Sequence, residues 1–160
     1  MAGGPTIDSL PRLIIVCGLP GAGKTTHSKR LAAELGAIRF CPDEWMTALG
    51  IDFYDSVARE RIESLQWQVA QAVLRAGGVA IIEWGTWSRE ERDRLRNGAR
   101  ALGVAVELHV LDEPIDVLWE RLDKRGAEFP GIELDDLRRW SDAVQRPTPD
   151  EKALFDDPAG

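Results

Sequence analysis

A chain of 160 residues, 44% of them hydrophobic and 29% charged, suits one soluble domain with a real core and leaves no room for a second. The net charge of −7 argues against a nucleic-acid partner, since proteins that grip a phosphate backbone gather Lys and Arg; sixteen arginines still leave scope for a local basic cleft. Cys17 and Cys41 lie far apart without a CxxC partner, which argues against a zinc site or a disulfide framework and for a reducing compartment.

Residues 1–11 read as a loose leader with no apolar core that could act as a secretion signal. No apolar run approaches the roughly 20 residues needed to span a bilayer. The expectation is therefore a cytoplasmic protein with no membrane partner. Arg12 to Cys17 (RLIIVC) reads as a buried strand and runs into GLPGAGKTT. A helix follows, with Leu31 and Leu35 on one face and Gly36 as its stop. Ala37 to Cys41 is a second strand candidate, and Pro42-Asp43-Glu44 opens a short helix.

After Asp55 a longer helix is expected to bury the stripe Ala58, Ile62, Leu65, Val69, Val73 and Ala76, with Gly77-Gly78 ending it. Val79 to Ile82 is a third strand running into Glu83. Ser88-Arg89-Glu90-Glu91 has the form of a capping box for a helix carrying Leu95, Ala99 and Leu102. Val104 to Leu111 is a fourth strand. Pro114 then starts a helix with Ile115, Leu118 and Leu122. Residues 126–133 form a Gly/Pro-rich break, Leu134 to Val144 is helical, and the tail from Arg146 holds a short final turn. Alternating strands and helices predict an α/β fold in three layers, a P-loop NTPase fold with a mostly parallel sheet of four to five strands. The domain spans 12–156, with a lid at about 125–134 and a tail at 157–160.

Gly18-Leu19-Pro20-Gly21-Ala22-Gly23-Lys24-Thr25 matches G-x-x-x-x-G-K-[ST]. Backbone amides must converge on phosphate oxygens, so glycines are needed where a Cβ would block the approach. The next helix aims its N-terminal amides and dipole at the same anion. Lys24 supplies a mobile positive charge for the β- and γ-phosphates, and the Thr25 hydroxyl is suited to magnesium. The expected cofactors are therefore ATP and Mg2+, bound by residues 18–25 together with Thr26. A buried strand before the motif and an amphipathic helix after it supply the context the motif requires.

The guanine reader Asn-Lys-x-Asp is missing, because the single asparagine, Asn97, precedes Gly98. No Ser-Gly-Gly signature is present, and the chain is short for a mechanochemical ATPase. GLPGAGKTT, CPDEW, VAIIEWGTWSREERDRLR and LDEPIDVLWERLDKR together resemble the small P-loop kinases related to the kinase half of polynucleotide kinases. Chloramphenicol phosphotransferase and the zeta toxins belong to the same broad group. The resemblance runs from about Arg12 to about Asp156. It implies ATP-dependent phosphoryl transfer to a hydroxyl group without fixing one substrate.

In that family an aspartate just after the second strand accepts the proton of the attacking hydroxyl, and Asp43 stands at that place. A carboxylate there can deprotonate an alcohol, although Asp after Pro also caps helices. Glu83 ends the third strand, where the related motif usually has Asp near the metal; substrate binding and a structural salt bridge are its other readings. Arg121 and Arg125 lie four apart on one helix face, where related kinases carry lid arginines. The plainer reading is a surface ion pair with Asp123, Asp135 or Asp136. Arg89 and Arg92 sit where the family often contacts substrate or phosphate, or on a solvated charged face. Trp45, Trp84, Thr86 and Trp87 cluster where rings can wall an acceptor site or simply pack. His27 and His109 are given no chemistry.

The leading expectation is thus a kinase acting on a hydroxyl-bearing metabolite or antibiotic. The alternatives are a 5′-hydroxyl polynucleotide kinase, a zeta-like toxin, and a regulatory module that binds nucleotide without transferring phosphate.

Overall fold

The alternation along β1 (Arg12–Cys17) feeds two separate cores, because successive side chains point to opposite faces of a sheet. Leu13 and Ile15 join Ala80, Ile82 and Val106 on one face, beneath Ala70, Leu74, Leu95 and Ala99. Ile14 and Val16 join Val79 and Ile81 on the other, beneath Leu31 and Leu35. A strand buried on both faces needs an unbroken apolar run, and that is what RLIIVC supplies. The computed structural model describes residues 10–126 and 131–158.

Four parallel strands make the sheet, in the order β2 (Ile38–Phe40), β3 (Val79–Gly85), β1, β4 (Ala105–Val110). Helix α1 (Lys24–Leu35) covers one face, while α3 (Ser56–Arg75) and α4 (Arg89–Ala101) cover the other. β1 lies between β3 and β4, so the chain leaves it to one side and later returns on the other. Ligand crevices in such sheets open at the strand ends beside that reversal. There the β1–β3 register slips: Ile15 pairs with Ile82 but Cys17 with Gly85, so Glu83 and Trp84 share the space opposite Val16. A bulge of this kind re-aims side chains at the rim of a sheet. It also carries β3 three residues beyond the expected Ile82.

The expected stripe of α3 is corrected. Ile62, Gln66, Ala70 and Leu74 face inward, whereas Leu65 is 50% exposed and Val69 40%. The helix is turned so that polar Arg59, Glu63 and Gln66 reach the interior side. The short α2 (Pro42–Ala48) precedes it, and α5 (Ile115–Arg125) and α6 (Leu134–Ala143) pack together around Leu118, Leu122 and Leu137. After these comes α7 (Pro149–Lys152). The tail then covers the β4 edge: Asp156 N–H donates to Val106 O at 2.8 Å, and its carboxylate accepts from Val106 N–H at 2.8 Å. The expected lid at about 125–134 lies partly outside the described residues. Among the described residues no helix is long and apolar enough to cross a membrane.

Candidate active site

The phosphate loop is held by its neighbours' backbones. Gly18 N–H donates to Gly85 O at 3.1 Å and Leu111 N–H to Cys17 O at 2.8 Å, tying the loop to the ends of β3 and β4. A Cβ on Gly18 would stand 2.7 Å from Leu111 O, so no larger residue fits. Gly23 caps α1 with φ 92, in the left-handed region, and its open side has no atom within 4 Å. Helix α1 therefore begins beside open space, where its N-terminal amides can attract an anion.

Lys24 Nζ donates to Leu19 O at 2.9 Å, folded back over its own loop. Burial pulls its ammonium below the ordinary range, opposed by the charges of Glu83 and Asp43. The Thr25 hydroxyl donates to Glu83 Oε1, and Arg39 Nη2 donates to Glu83 Oε2 at 2.8 Å. Glu83 is 4% exposed, and this buried carboxylate is thus matched by a hydroxyl and a guanidinium. Thr25 and Glu83 together present the hard oxygen donors that suit magnesium.

From the lysine a cavity of about 460 Å³ opens toward α2 and α3, walled by Lys24, Asp43, Arg59, Glu63, Trp84 and Trp87 among others. Asp43 lies in the first turn of α2, but the cap position belongs to Cys41, so capping is not its task. Arg59 Nη2 donates to Asp43 Oδ1 at 2.5 Å while its guanidinium lies 5.2 Å from the Phe53 ring centre. The ion pair and the aromatic face fix the carboxylate over the cavity. Glu44 turns instead to Arg39, 3.3 Å away.

The other expected site residues divide. Trp84, Thr86 and Trp87 line the cavity. Trp84 Nε1 donates to Gln66 Oε1 at 2.8 Å, and the Trp87 ring lies 5.9 Å from that of Trp140. Trp45 does not reach the cavity; it packs on the core, 6.5 Å from the Phe40 ring. Arg92, expected at substrate, is instead buried, with 0% exposure. It donates to Glu151 Oε1 at 2.6 Å, to Thr86 O at 2.8 Å and to Gln145 O at 2.6 Å, clamping the tail to the end of β3. Arg89 pairs with Asp93 at 2.8 Å and lies outside the cavity wall. Arg121 and Arg125 line a different hollow of about 430 Å³ beside Gly23, Thr26 and His27. Arg121 Nη1 donates to Gly21 O at 3.1 Å, so it reaches the phosphate loop but not Asp43.

Three features escaped the sequence reading. Arg39 and Arg59 are the cations that hold Glu83 and Asp43, each brought in from a separate element. His27 Nε2 and His109 Nδ1 share a hydrogen bond of 2.8 Å, and His109 Nε2 continues to Glu107, which is paired with Arg12 at 2.7 Å. Thr86, with φ 48, is a β-branched residue in the left-handed region, the kind of local strain that gathers at functional sites. Arg39 and Glu83, Arg59 and Asp43, and His27 and His109 are each far apart in the sequence, so no local pattern signals these pairs.

A family model described as AAA_33, AAA domain, matches residues 13–147. No curated protein matches the chain. One chain of the Pnkp1/Rnl/Hen1 RNA repair complex is similar over 94% of this chain and 49% of its own, at 22% identity and a TM-score of 0.74. This chain therefore spans about half the length of that relative. A putative kinase from Chloroflexus aurantiacus is similar over 88% of this chain and 83% of its own, with 24% identity and a TM-score of 0.69. Chaetomium thermophilum Kti12, in complex with ADP-AlF3, is similar over 86% and 82%, with 19% identity and a TM-score of 0.64. At these identities the likeness shows the fold alone, a P-loop α/β one.

Proposed function

The chain belongs to the AAA_33 family, and from that premise we propose that it is an ATP-dependent phosphotransferase acting on the hydroxyl of a small molecule. The observation that carries this reading is that Lys24 of the phosphate loop and the Arg59-held carboxylate of Asp43 line one cavity.

The loop over residues 18–26 holds the triphosphate through the backbone amides of its residues other than Pro20, with Lys24 drawn from Leu19 O onto the β- and γ-phosphates. Thr25 and Glu83 would hold magnesium, which when bound neutralises charge on the phosphates. The acceptor oxygen attacks the γ-phosphorus, and the bridging bond to ADP breaks. Asp43 takes the hydroxyl proton, and Arg59 keeps the carboxylate turned toward the acceptor. Arg121 and Arg125 flank the phosphate loop on the side away from Asp43, where we assign them to the nucleotide's phosphates. Trp84 and Trp87 form the flat wall of the acceptor space.

The RNA-repair relative keeps a 5′-hydroxyl end kinase in view, but the acidic acceptor wall disfavours a polyanion. Transfer from γ-labelled ATP to a panel of amino sugars, phenicols, neutral sugars and 5′-hydroxyl oligonucleotides tests the reading. Asp43→Asn should lower transfer by about 10² to 10⁴ and leave ATP affinity nearly intact. Unchanged turnover in that variant removes Asp43 from the mechanism. ATP bound with no acceptor labelled in the panel would favour a nucleotide-binding regulatory module.

A further inference from the structure

Between α3 and α4 the cavity carries two carboxyl groups whose nearest cations, Arg59, Arg92 and Arg94, act on them without direct contact. Glu63 and Glu91 line both the acceptor cavity and an adjoining hollow of about 660 Å³, whose other charged walls are Glu60, Glu90 and Arg94. Among the described residues no hydrogen bond or ion pair reaches either carboxylate; Glu91 contributes only its backbone N–H, to Ser88 Oγ. Burial raises the carboxyl of Glu63 to about 7, with the charge of Glu91 the next cause, and burial raises that of Glu91 as well. Two half-buried acids on one wall, offset only in part by those arginines, are costly, and a cationic ligand would lower that cost.

A second observation points the same way. Thr86 lines this cavity with 1% exposure, and its hydroxyl has no hydrogen-bond partner among the described residues. Its carbonyl is already taken by Arg92 and the Cys17 thiol, so the hydroxyl is the group left over for a ligand. Trp84, clamped by Gln66, is a fixed aromatic wall common to both hollows, and such a face attracts cations. An aromatic face beside the carboxylates suits an organic cation, whereas a hard metal ion takes a shell of oxygen donors.

Building on the kinase reading above, we propose that the acceptor is a cationic amino alcohol, its ammonium group held between Glu63 and Glu91 against Trp84, with a polar substituent on the Thr86 hydroxyl. The hydroxyl that reacts is then delivered to Asp43. Its oxygen bonds to the γ-phosphorus, the bridging electrons leave with ADP, and its proton passes to Asp43. The ammonium keeps its protons throughout. An anionic acceptor would have to place its charge beside two carboxylates.

The test uses matched acceptors with γ-labelled ATP and magnesium, and tryptophan fluorescence as an independent readout of binding. Kanamycin and glucosamine carry ammonium groups, N-acetylglucosamine and glucose are neutral, gluconate is anionic, and a 5′-hydroxyl oligonucleotide is a polyanion. An ammonium-bearing acceptor should be bound and labelled best. Glu63→Gln and Glu91→Gln should each raise its KM about 10- to 100-fold, the value of a charge-assisted contact, with the KM for ATP unchanged. The N-acetylated probe removes the charge from the ligand and so gives the same answer even if a variant folds poorly. Equal use of N-acetylglucosamine, glucose or gluconate, preference for the oligonucleotide, or an equal fluorescence response to calcium alone would overturn the proposal. If ATP binds through Lys24 but no ammonium probe binds, this proposal falls and the kinase reading stands. If ATP does not bind, both fall.

Discussion

At the phosphate end of the cavity Glu83 is met by the Thr25 hydroxyl and by Arg39, whereas at the acceptor end Glu63 and Glu91 meet no cation within ion-pair distance among the described residues. Both ends gather acids, buried at one and half-buried at the other, yet only the first pairs them directly. The balanced end faces a nucleotide that arrives with its own metal, so its carboxylate must be held in place beforehand. The unbalanced end keeps its charge available for the molecule that binds there.

The largest expected effect breaks the phosphate end alone. Lys24→Ala should lower turnover by about 10³ to 10⁵, the worth of a cation on the transferring phosphoryl group, while kanamycin still alters tryptophan fluorescence. Loss of both readouts together would mean that the two ends are not separable.

Next comes a variant at a residue that lines neither end but braces Thr86 from behind. Arg92→Ala leaves the buried Glu151 with only Arg89, 3.8 Å away, at a cost of about 3 kcal/mol. For a chain of this size the melting temperature should fall by about 10 °C with little change in the KM for ATP. A raised acceptor KM with unchanged melting would return Arg92 to the substrate site.

The smallest effect sharpens the acceptor end. Glu63 faces Glu91 and Arg94 from α4 and lies beside Arg59 and Glu60 on its own helix. Its folded carboxyl titrates near 7, above the 4.5 of an unburied glutamate, so between those values the folded protein holds the extra proton. Stability must therefore fall as pH rises through that window. Glu63→Gln should gain about 1 kcal/mol over the wild type at pH 8, allowing for partial exposure, and little or nothing below pH 4.5. Under the amino-alcohol reading the wild-type acceptor KM should fall as pH passes 7, and the variant's should fall less, since only Glu91 then gains charge. Chemical melts from pH 4 to 8 check the first and steady-state kinetics the second.

The same contrast separates what was legible. The phosphate loop is eight contiguous residues whose function depends on its own backbone, so strand, glycines, lysine and helix can be read in order. All four strands of the sheet are likewise legible, β1 and β3 as apolar runs and β2 and β4 as shorter or mixed candidates, although the bulge that extends β3 to Gly85 is not. The acceptor end was misread through α3. Apolar periodicity pointed to Leu65 and Val69 as core, yet both are exposed. A periodic pattern identifies two faces of a helix but cannot tell which one faces a cavity with polar walls. Arg92 was misplaced for a related reason, since its partner Glu151 lies 59 residues away.

The sequence by itself determined a P-loop α/β domain, its anion-binding loop and an aspartate after the second strand, because each depends on neighbours along the chain. Only the tertiary structure decided that Arg59 holds Asp43, that Arg39 holds Glu83, that Arg92 ties down the tail, and that Glu63 and Glu91 share one wall. Charge pairing acts over a few ångströms of space, and residues 16 to 59 positions apart in the chain become neighbours only when the sheet and its helices assemble.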